Sequence, residues 1–470
     1  MQPTEEATKA ADGGKTFAQP PNQLGRRLTL SDSDRNGLLI ATALLFLFAL
    51  AVYHASIQWA PGTVDDLEVL SSVAHTANPL KYLVGDFGMA PYAGGNYGHY
   101  RPLHSISIWV VYKTLGIKFQ VNQIINLVLH FINTMLVFFI IWRARKDIAL
   151  SFMGASLFLI SVHTMSPATW IADRPNLLVG LAFLLFLHHV VTVREAGKNL
   201  RVPYVLFLCV FGLLSKESGL IVPVMAIVVS ARLAGGTWWH RIRASAGWAT
   251  VIVAYFLGRV LMFGANAISY SNLGCLFGVR PYPLASALPG HLPQLAIVDN
   301  VLKNILQMIL PIFTEYGGFT FLFDPARVAV LVMLGAVAMF YLVASTLRSK
   351  LSPLQVDCMW AVLVNAVIHN AIYRYRDLYS AQIAICIFVA CSVLLREQRR
   401  KAMALAAAGV VLAVSIVRVD DFIQDMYLRR YIELNTYKFQ RLLETHDAPN
   451  LDRQLLQQVV EKYKDRSVEH

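Results

Sequence analysis

Long runs of apolar residues, separated by short polar segments, dominate the sequence from residue 37 onward. A run of about 20 apolar residues is long enough to cross a bilayer as an α-helix. The pattern is therefore typical of an all-α polytopic membrane protein. It predicts about eleven spans, at residues 37–57, 121–142, 148–166, 174–193, 202–215, 218–234, 245–263, 327–346, 355–373, 378–395 and 402–418.

One apolar stretch, LHSISIWVVYKTLGI at residues 103–117, leaves the topology open, because it is short and contains Lys113. If it lies along the membrane surface, the basic clusters of the short loops all fall on the side of the N-terminal tail. Because short cytoplasmic loops carry an excess of Lys and Arg, this arrangement predicts a cytoplasmic N-terminus, an odd number of spans and an extracytoplasmic C-terminus. The clusters are Arg143, Arg145 and Lys146; Arg194, Lys198 and Arg201; Arg241 and Arg243; Arg348 and Lys350; and REQRRK at 396–401.

The composition is that of a membrane protein, and it offers an explanation of the net positive charge that does not involve nucleic acid. Apolar residues make up 56% of the 470 residues, and charged residues only 15%. A net charge of +12 would suggest nucleic acid in a soluble protein, but cytoplasmic loops and anionic headgroups account for it here. We therefore expect membrane lipids as partners and no nucleic acid. Four of the five cysteines lie in apolar segments, so neither a disulfide framework nor a cysteine metal site is indicated.

The chain divides into three predicted parts. Residues 1–35 are polar and rich in Gly and Pro, which predicts a disordered cytoplasmic tail. Residues 36–418 form the predicted transmembrane domain, with long outer loops at 58–120 and 264–326. Residues 419–470 are charged and helix-patterned, and they predict a helical extracytoplasmic tail.

Ionisable and aromatic side chains concentrate in the loops that this topology places outside. Ionisable residues at membrane depth are costly and tend to be functional. We therefore expect a shared site on the outer face, although loops are polar in any protein. The motifs are Asp65, Asp66 and Glu68, GHYRPLH at 98–104, VHTMSPATWIADRPN at 162–176, SKESG at 215–219 and YRYRDLY at 373–379.

The order of these motifs resembles the GT-C superfamily of glycosyltransferases. The matching features are the acidic pair after the first span, YRPL before the surface helix, NLVLH in the second span, DRPNLL after a His-containing turn, and SKESG. Within the superfamily the chain is similar to protein O-mannosyltransferases, to transmembrane mannosyltransferases with tetratricopeptide repeats, and to lipid A aminoarabinose transferases. It departs from the repeat-bearing relatives in having SPATW where they show an acidic residue after the His.

The resemblance implies a GT-C-like fold whose long first outer loop carries surface helices. It also implies a location in the bacterial inner membrane. The implied reaction transfers a sugar from a polyprenyl-phosphate-linked donor to a hydroxyl group of a protein, lipid or glycan acceptor, with inversion, on the extracytoplasmic face.

The acidic pair has two interpretations. By the resemblance, Asp65 is the general base that takes the proton of the attacking hydroxyl. Asp66 then orients the acceptor, raises the proton affinity of Asp65 by like-charge repulsion, or shares a divalent cation with it. Alternatively, the two acids cap the helix that follows, because Asp at a helix start accepts backbone N–H bonds.

Outer-face cations can stabilise the phosphate leaving group, whose charge grows in the transition state. The resemblance assigns this role first to Lys216 and Arg376, expected at the polar surface, and places Arg101 beside the sugar or the base. Headgroup anchoring or charge pairing, such as Lys216 with Glu217 or Arg174 with Asp173, is the alternative. The donor-binding candidates are Tyr100, Arg101, Arg174, Lys216, Glu217, Arg374 and Arg376, and the candidates for acceptor binding or support are His104, His163, Asp173 and Tyr379.

A divalent cation is the one cofactor that the sequence leaves open. Histidine combined with carboxylates can bind zinc, and the candidate ligands are Asp65, Asp66 and His104, but they show no tight ligand spacing. His130 in NLVLH is instead expected to form hydrogen bonds between helices.

Three other classes of protein stay compatible with the pattern, and the first is a phospholipid-anchored group transferase of another sort. A transporter or flippase for a lipid-linked substrate usually shows internal repeats and helices broken by Gly or Pro at mid-membrane, and the sequence indicates neither. A non-catalytic assembly subunit would leave the acidic pair unexplained.

Overall fold

The computed structural model describes residues 32–58, 69, 73, 76–84, 100–116, 119–234, 236–264, 351–369 and 378–392. Within these ranges the regular elements are all helical and no strand occurs. The α-helices are α1 (Asp32–Tyr53), α2 (Pro102–Leu115), α3 (Phe119–Arg145), α4 (Ile148–Leu159), α5 (Val162–Thr169), α6 (Arg174–Glu195), α7 (Val202–Ser215), α8 (Ile221–Ala234), α9 (Trp238–Phe263), α10 (Pro353–Ile368) and α11 (Tyr379–Ser392). Short 3-10 turns cover His54–Gln58, Pro79–Leu83, Ile171–Asp173 and Glu217–Leu220.

Several described helices are long and apolar enough to cross a membrane, so the chain fits an integral membrane protein. The five segments are Asp34–Tyr53, Gln120–Arg145, Ile171–Glu195, Glu217–Ala234 and Trp238–Phe263. The pair α4 and α5 adds a sixth if it counts as one span. Helices α7, α10 and α11 are apolar but only 14 to 16 residues long. The predicted count of eleven is not confirmed, and two predicted spans, 327–346 and 402–418, lie outside the described residues.

Helix ends differ from the predicted spans where polar residues continue a helix. Helix α1 begins at Asp32 instead of residue 37, with Asp32 and Asp34 in its first turn, where carboxylates interact favourably with the helix dipole. Helix α9 begins at Trp238 instead of residue 245. The basic residues Arg241 and Arg243 end the apolar run there, but they do not end the helix.

The predicted span at 148–166 is not one continuous helix, because α4 and α5 meet at a bend of 73°. Neither Gly nor Pro lies at the break, residues 160–161. Instead, the Tyr53 hydroxyl donates to the Leu159 carbonyl over 2.7 Å, and His130 Nε2 lies 3.0 Å from the same oxygen. Because an unpaired carbonyl group is costly in an apolar environment, these distant side chains stabilise the break. The run predicted as one span at 148–166 is therefore divided between two helices.

Contacts at both ends of α3 and α6 show that these two helices are parallel. In their first turns, the Arg174 guanidinium donates to Asn122 Oδ1 over 2.8 Å. Near their last residues, Arg143 pairs with Glu195 over 2.6 Å. We call the end of the bundle at Asn122 and Arg174 the cluster end, and the end at Arg143 and Glu195 the basic end.

The remaining helices connect these two ends in alternation. Helix α7 ends beside Lys216, which reaches Asn176 at the cluster end over 2.9 Å. Helix α8 starts there and α9 returns, since Arg259 near the end of α9 lies 3.4 Å from Glu217. Helix α1 starts at the basic end, where Gly37 lies against the Ile148 side chain.

Helix α2 covers most of the stretch 103–117 that is predicted to be a surface helix. Its 14 residues measure about 21 Å, and Ser107 near its middle contacts Arg174 at the cluster end. Helix α1 runs toward the cluster end, and α3 starts there. Helices α1 and α3 therefore meet the loop that contains α2 at the same end of the bundle.

A buried carboxylate joins three helices at the basic end. Asp357 on α10 is fully buried, and it pairs with Arg194 on α6 and Arg232 on α8. A carboxylate out of contact with water requires such partners, because its desolvation is otherwise uncompensated.

Replacing Asp357 with Asn should lower the free energy of unfolding by about 3 kcal/mol or more, because it leaves two arginines without their shared counter-ion. Thermal unfolding in detergent measures this change. Arg143→Gln is the matched control, since its pair with Glu195 is more exposed, at 25% and 40%, and such pairs contribute less than about 1 kcal/mol. Equal effects of the two substitutions would contradict the role given to Asp357.

Candidate functional site

A group of charged side chains meets at the cluster end, and helix ends supply most of them. Arg101 precedes α2, Asp173 and Arg174 begin α6, Lys216 and Glu217 begin the turn before α8, and Arg259 lies near the end of α9. We call these six residues the charged cluster. The structure thus brings together site candidates from three of the predicted outer loops.

Arg174 is the most enclosed member and holds three helices together. It is fully buried, and its guanidinium donates to Asn126 Oδ1 over 2.7 Å, to Ser107 Oγ over 3.0 Å and to Asn122 Oδ1 over 2.8 Å. These neutral oxygens come from α2 and α3. Arg174, a donor-binding candidate from sequence, therefore also fixes α2 and α3 against α6.

Lys216 lies in a polar contact with the first turn of α6. Its ammonium group is 2.9 Å from Asn176 Oδ1 and 4.0 Å from Asp173 Oδ1, and Asn176 donates to Asp173 over 2.8 Å. Lys216 is only 8% exposed, so the expectation that it lies at the polar surface is wrong. The segment 162–176, which supplies Asp173 and Asn176, is largely helical instead of an open turn.

Glu217 lies between two arginines from other parts of the chain. Its Oε2 is 3.5 Å from Arg101 and its Oε1 is 3.4 Å from Arg259. Arg259 also donates to the Tyr255 hydroxyl over 2.9 Å. The side chains of Arg101 and Glu217 are each 18% exposed, whereas that of Arg259 is 2% exposed. Arg101 and Glu217 therefore form the more accessible side of the charged cluster.

Sequence analysis missed Arg259, because it lies inside an apolar run. A signal was present, since an ionisable residue in a membrane helix usually faces a partner. Tyr255 and Phe263, four residues before and after, share its helix face. Tyr100, a predicted site residue, packs on that face with its ring 5.9 Å from that of Phe263, and its hydroxyl donates to the Leu83 carbonyl over 2.9 Å.

His104 is buried beside the cations of the charged cluster. Its burial, and then the positive charges of Arg174, Arg101 and Lys216, lower the pKa of His104 well below its ordinary value. A neutral imidazole is the form that binds metal ions. However, no group of three or more His, Cys, Asp or Glu side chains suited to a metal occurs in the described part of the chain.

Tyr379 lies deeper in the bundle, about one helical turn beyond the asparagines that bind Arg174. Its hydroxyl is 2.9 Å from His130 Nδ1 and 3.0 Å from Asn133 Nδ2. Because His130 Nε2 faces the Leu159 carbonyl, Nε2 carries the proton and Nδ1 accepts from Tyr379. The predicted hydrogen bonding of His130 between helices is confirmed.

His163 lies at the same break between α4 and α5. It is buried in α5, with Nδ1 3.4 Å from the Ser161 hydroxyl. Three residues that were singled out from the sequence therefore lie near this break, namely His130, His163 and Tyr379.

Four predicted site residues, Asp65, Asp66, Arg374 and Arg376, lie outside the described residues. The structure describes the elements that flank the acidic pair, namely α1 and the short turn after it on one side and α2 on the other. No model of a known protein family matches the chain, and no curated protein matches it.

The stability of the protein should fall as the pH drops below about 6.5. The folded state favours neutral His104, whereas an unfolded histidine has a pKa of about 6.5, so the unfolded state takes up the proton first. The stabilisation that neutral His104 gives to the folded state is therefore complete above this pH and is lost as the pH falls below it. His104→Gln should flatten the dependence of melting temperature on pH between 7.5 and 5.5. His240→Gln, which changes an exposed histidine near the basic end, should not.

Tyr379→Phe should destabilise the protein by about 1–3 kcal/mol, because it leaves His130 and Asn133 without their shared hydroxyl in a buried site. Differential scanning fluorimetry in detergent can measure the loss. Tyr204→Phe is a suitable control, because Tyr204 is an exposed tyrosine on α7. A Tyr379→Phe protein as stable as the Tyr204→Phe protein would show that the network does not support the break.

Proposed function

We propose that the protein is a membrane glycosyltransferase that moves a sugar from a polyprenyl-phosphate-linked donor to an acceptor hydroxyl group, with inversion. The observation that carries the proposal is the composition of the charged cluster. Four cations, Arg101, Arg174, Lys216 and Arg259, meet two carboxylates there, so the described part of the cluster has two positive charges in excess.

This excess suits a phosphate group on a lipid. The charged cluster lies at the end of an apolar bundle, which is where the headgroup of a membrane-embedded polyprenyl chain would reach it. Cations shielded from water interact with an anion more strongly than exposed cations do. Lys216 offers a point charge and Arg101 a planar guanidinium suited to phosphate oxygens.

The sidedness of the bundle supports an extracytoplasmic reaction. Arg143, Arg145, Arg194, Arg232 and Lys146 lie at the basic end, and basic loops favour the cytoplasmic side. The charged cluster then faces the opposite side, the N-terminus is cytoplasmic and the C-terminus extracytoplasmic. A GT-C-like arrangement of eleven spans belongs to the same proposal.

The reaction assigns one role to each group. The Asp65 carboxylate takes the proton of the acceptor hydroxyl as its oxygen attacks the anomeric carbon. The bond between that carbon and the phosphate oxygen breaks, and the polyprenyl phosphate leaves with the negative charge. Lys216 and Arg101, together with Arg376, stabilise that charge. Support for Asp65 comes from its place between α1 and α2, because α1 runs toward the cluster end and α2 starts there.

One observation favours a second candidate, a transporter or flippase for a lipid-linked substrate. Broken helices are typical of transporters, and the bend of 73° between α4 and α5 is such a feature. Proteoliposomes loaded with a fluorescent polyprenyl-phosphate sugar distinguish the two candidates. A transporter moves the lipid between leaflets without a change in its sugar, whereas the transferase releases polyprenyl phosphate when acceptor is present.

Replacing Asp65 with Asn should reduce sugar transfer by at least about 100-fold, because the amide keeps the shape but loses the basicity that the attacking hydroxyl requires. The melting temperature should stay near that of the wild type. Glu68→Gln, at a neighbouring acid, is the matched control and should retain transfer. Asp66→Asn should be milder unless a divalent cation is bound, in which case chelators reproduce the loss. Normal transfer by a destabilised Asp65→Asn protein would favour the helix-cap interpretation.

A further inference from the structure

The start of α8 lacks the side-chain cap that a helix usually has. The turn Glu217–Leu220 continues directly into α8, so that Glu217–Ala234 forms one long helical segment. Its N-cap residue is Lys216, whose side chain makes no capping hydrogen bond. A lysine side chain contains only donors, whereas the N–H groups of a first helical turn require an acceptor. The cap position therefore suits an anion.

Ser218, the second residue of this turn, gives an independent sign of a missing ligand. The residue is only 3% exposed. Its hydroxyl oxygen has no hydrogen-bond partner anywhere in the described ranges. A buried hydroxyl group without a partner is destabilising, and such a group next to Lys216 and Glu217 in the chain points to a molecule that binds there.

The turn is held firmly enough to keep this hydroxyl in place. The backbone of Gly219 lies directly against that of Gly212 on α7, with no room for a side chain between them. The Lys216 N–H also donates to the Gly212 carbonyl over 3.2 Å. Rotation of the turn to satisfy Ser218 would break these contacts.

We propose that residues 216–219 form a phosphate-binding site in which Ser218 is a ligand. The Ser218 hydroxyl and the Ser218 backbone N–H donate to phosphate oxygens, and the Lys216 ammonium group neutralises their charge. The positive end of the helix dipole favours an anion at this position. The inference rests on the proposed function, because it assigns the site to the phosphate of the polyprenyl-linked donor.

The experiment compares two buried serines. Ser156 on α4 is also fully buried, and its hydroxyl likewise has no partner within the described residues, but it lies in the middle of a helix. Binding of a short-chain polyprenyl phosphate, inorganic phosphate and vesicles containing phosphatidylglycerol is measured with the purified full-length protein. These ligands share the phosphate chemistry and differ in what is attached to it.

Ser218→Ala should weaken the binding of polyprenyl phosphate by about 10-fold, which is typical for a lost hydrogen bond to a charged group. Its melting temperature without ligand should be unchanged or higher, because the unpaired hydroxyl is gone. Ser156→Ala should behave like the wild type in binding. Affinity that is unchanged in Ser218→Ala, or that falls equally in Ser156→Ala, would overturn the site.

Comparison of the three ligands tests the phosphate-binding site independently of the proposed transferase activity. If the protein binds inorganic phosphate through Ser218 as tightly as it binds polyprenyl phosphate, the polyprenyl-linked donor is not the ligand of the site. If the protein binds the vesicles more tightly than polyprenyl phosphate, the ligand is a phospholipid headgroup instead. Binding of polyprenyl phosphate that depends on Ser218, in a protein without transfer activity, supports the site and refutes the transferase. Transfer activity combined with wild-type affinity in Ser218→Ala refutes the site alone.

Discussion

A polar group within an apolar bundle has to find its partner inside the protein, and this requirement determines how the described helices are joined. At the basic end, Asp357 links α10 to the arginines of α6 and α8. At the cluster end, Arg174 links α6 to α2 and α3. Between them, His130 and Tyr53 bind the carbonyl group at which α4 stops. These polar contacts fix helix directions that apolar packing alone would leave undetermined.

The helices were largely predictable from sequence, because a long apolar run has few alternatives to a helix in lipid. The break between α4 and α5 was not predictable, since no Gly or Pro lies there and Tyr53 and His130 are distant in sequence. The membership of the charged cluster was partly predictable from its loops. The burial of Lys216 and the inclusion of Arg259 depend on how α7, α8 and α9 pack, which hydropathy does not report.

The charged cluster combines two kinds of cation that have different physical roles. Arg174 and Arg259 are enclosed and hydrogen-bonded to side chains of neighbouring helices, so their charge is fixed in position. Arg101 retains partial exposure. Neutral His104 lies among the cations without adding to their repulsion. The enclosed arginines therefore hold the neighbouring helices together, while Arg101 stays partly accessible.

The contact between Gly212 and Gly219 sets the spacing of α7 and α8 at the level of the backbone. These two glycines have no side chains, yet their close contact holds the turn in which Lys216 points toward α6 and Glu217 points toward α9. A methyl group at Gly219 would push the backbones of α7 and of the turn before α8 apart. It would leave the charge of the protein unaltered while it displaced the backbone that carries the Lys216 and Glu217 side chains.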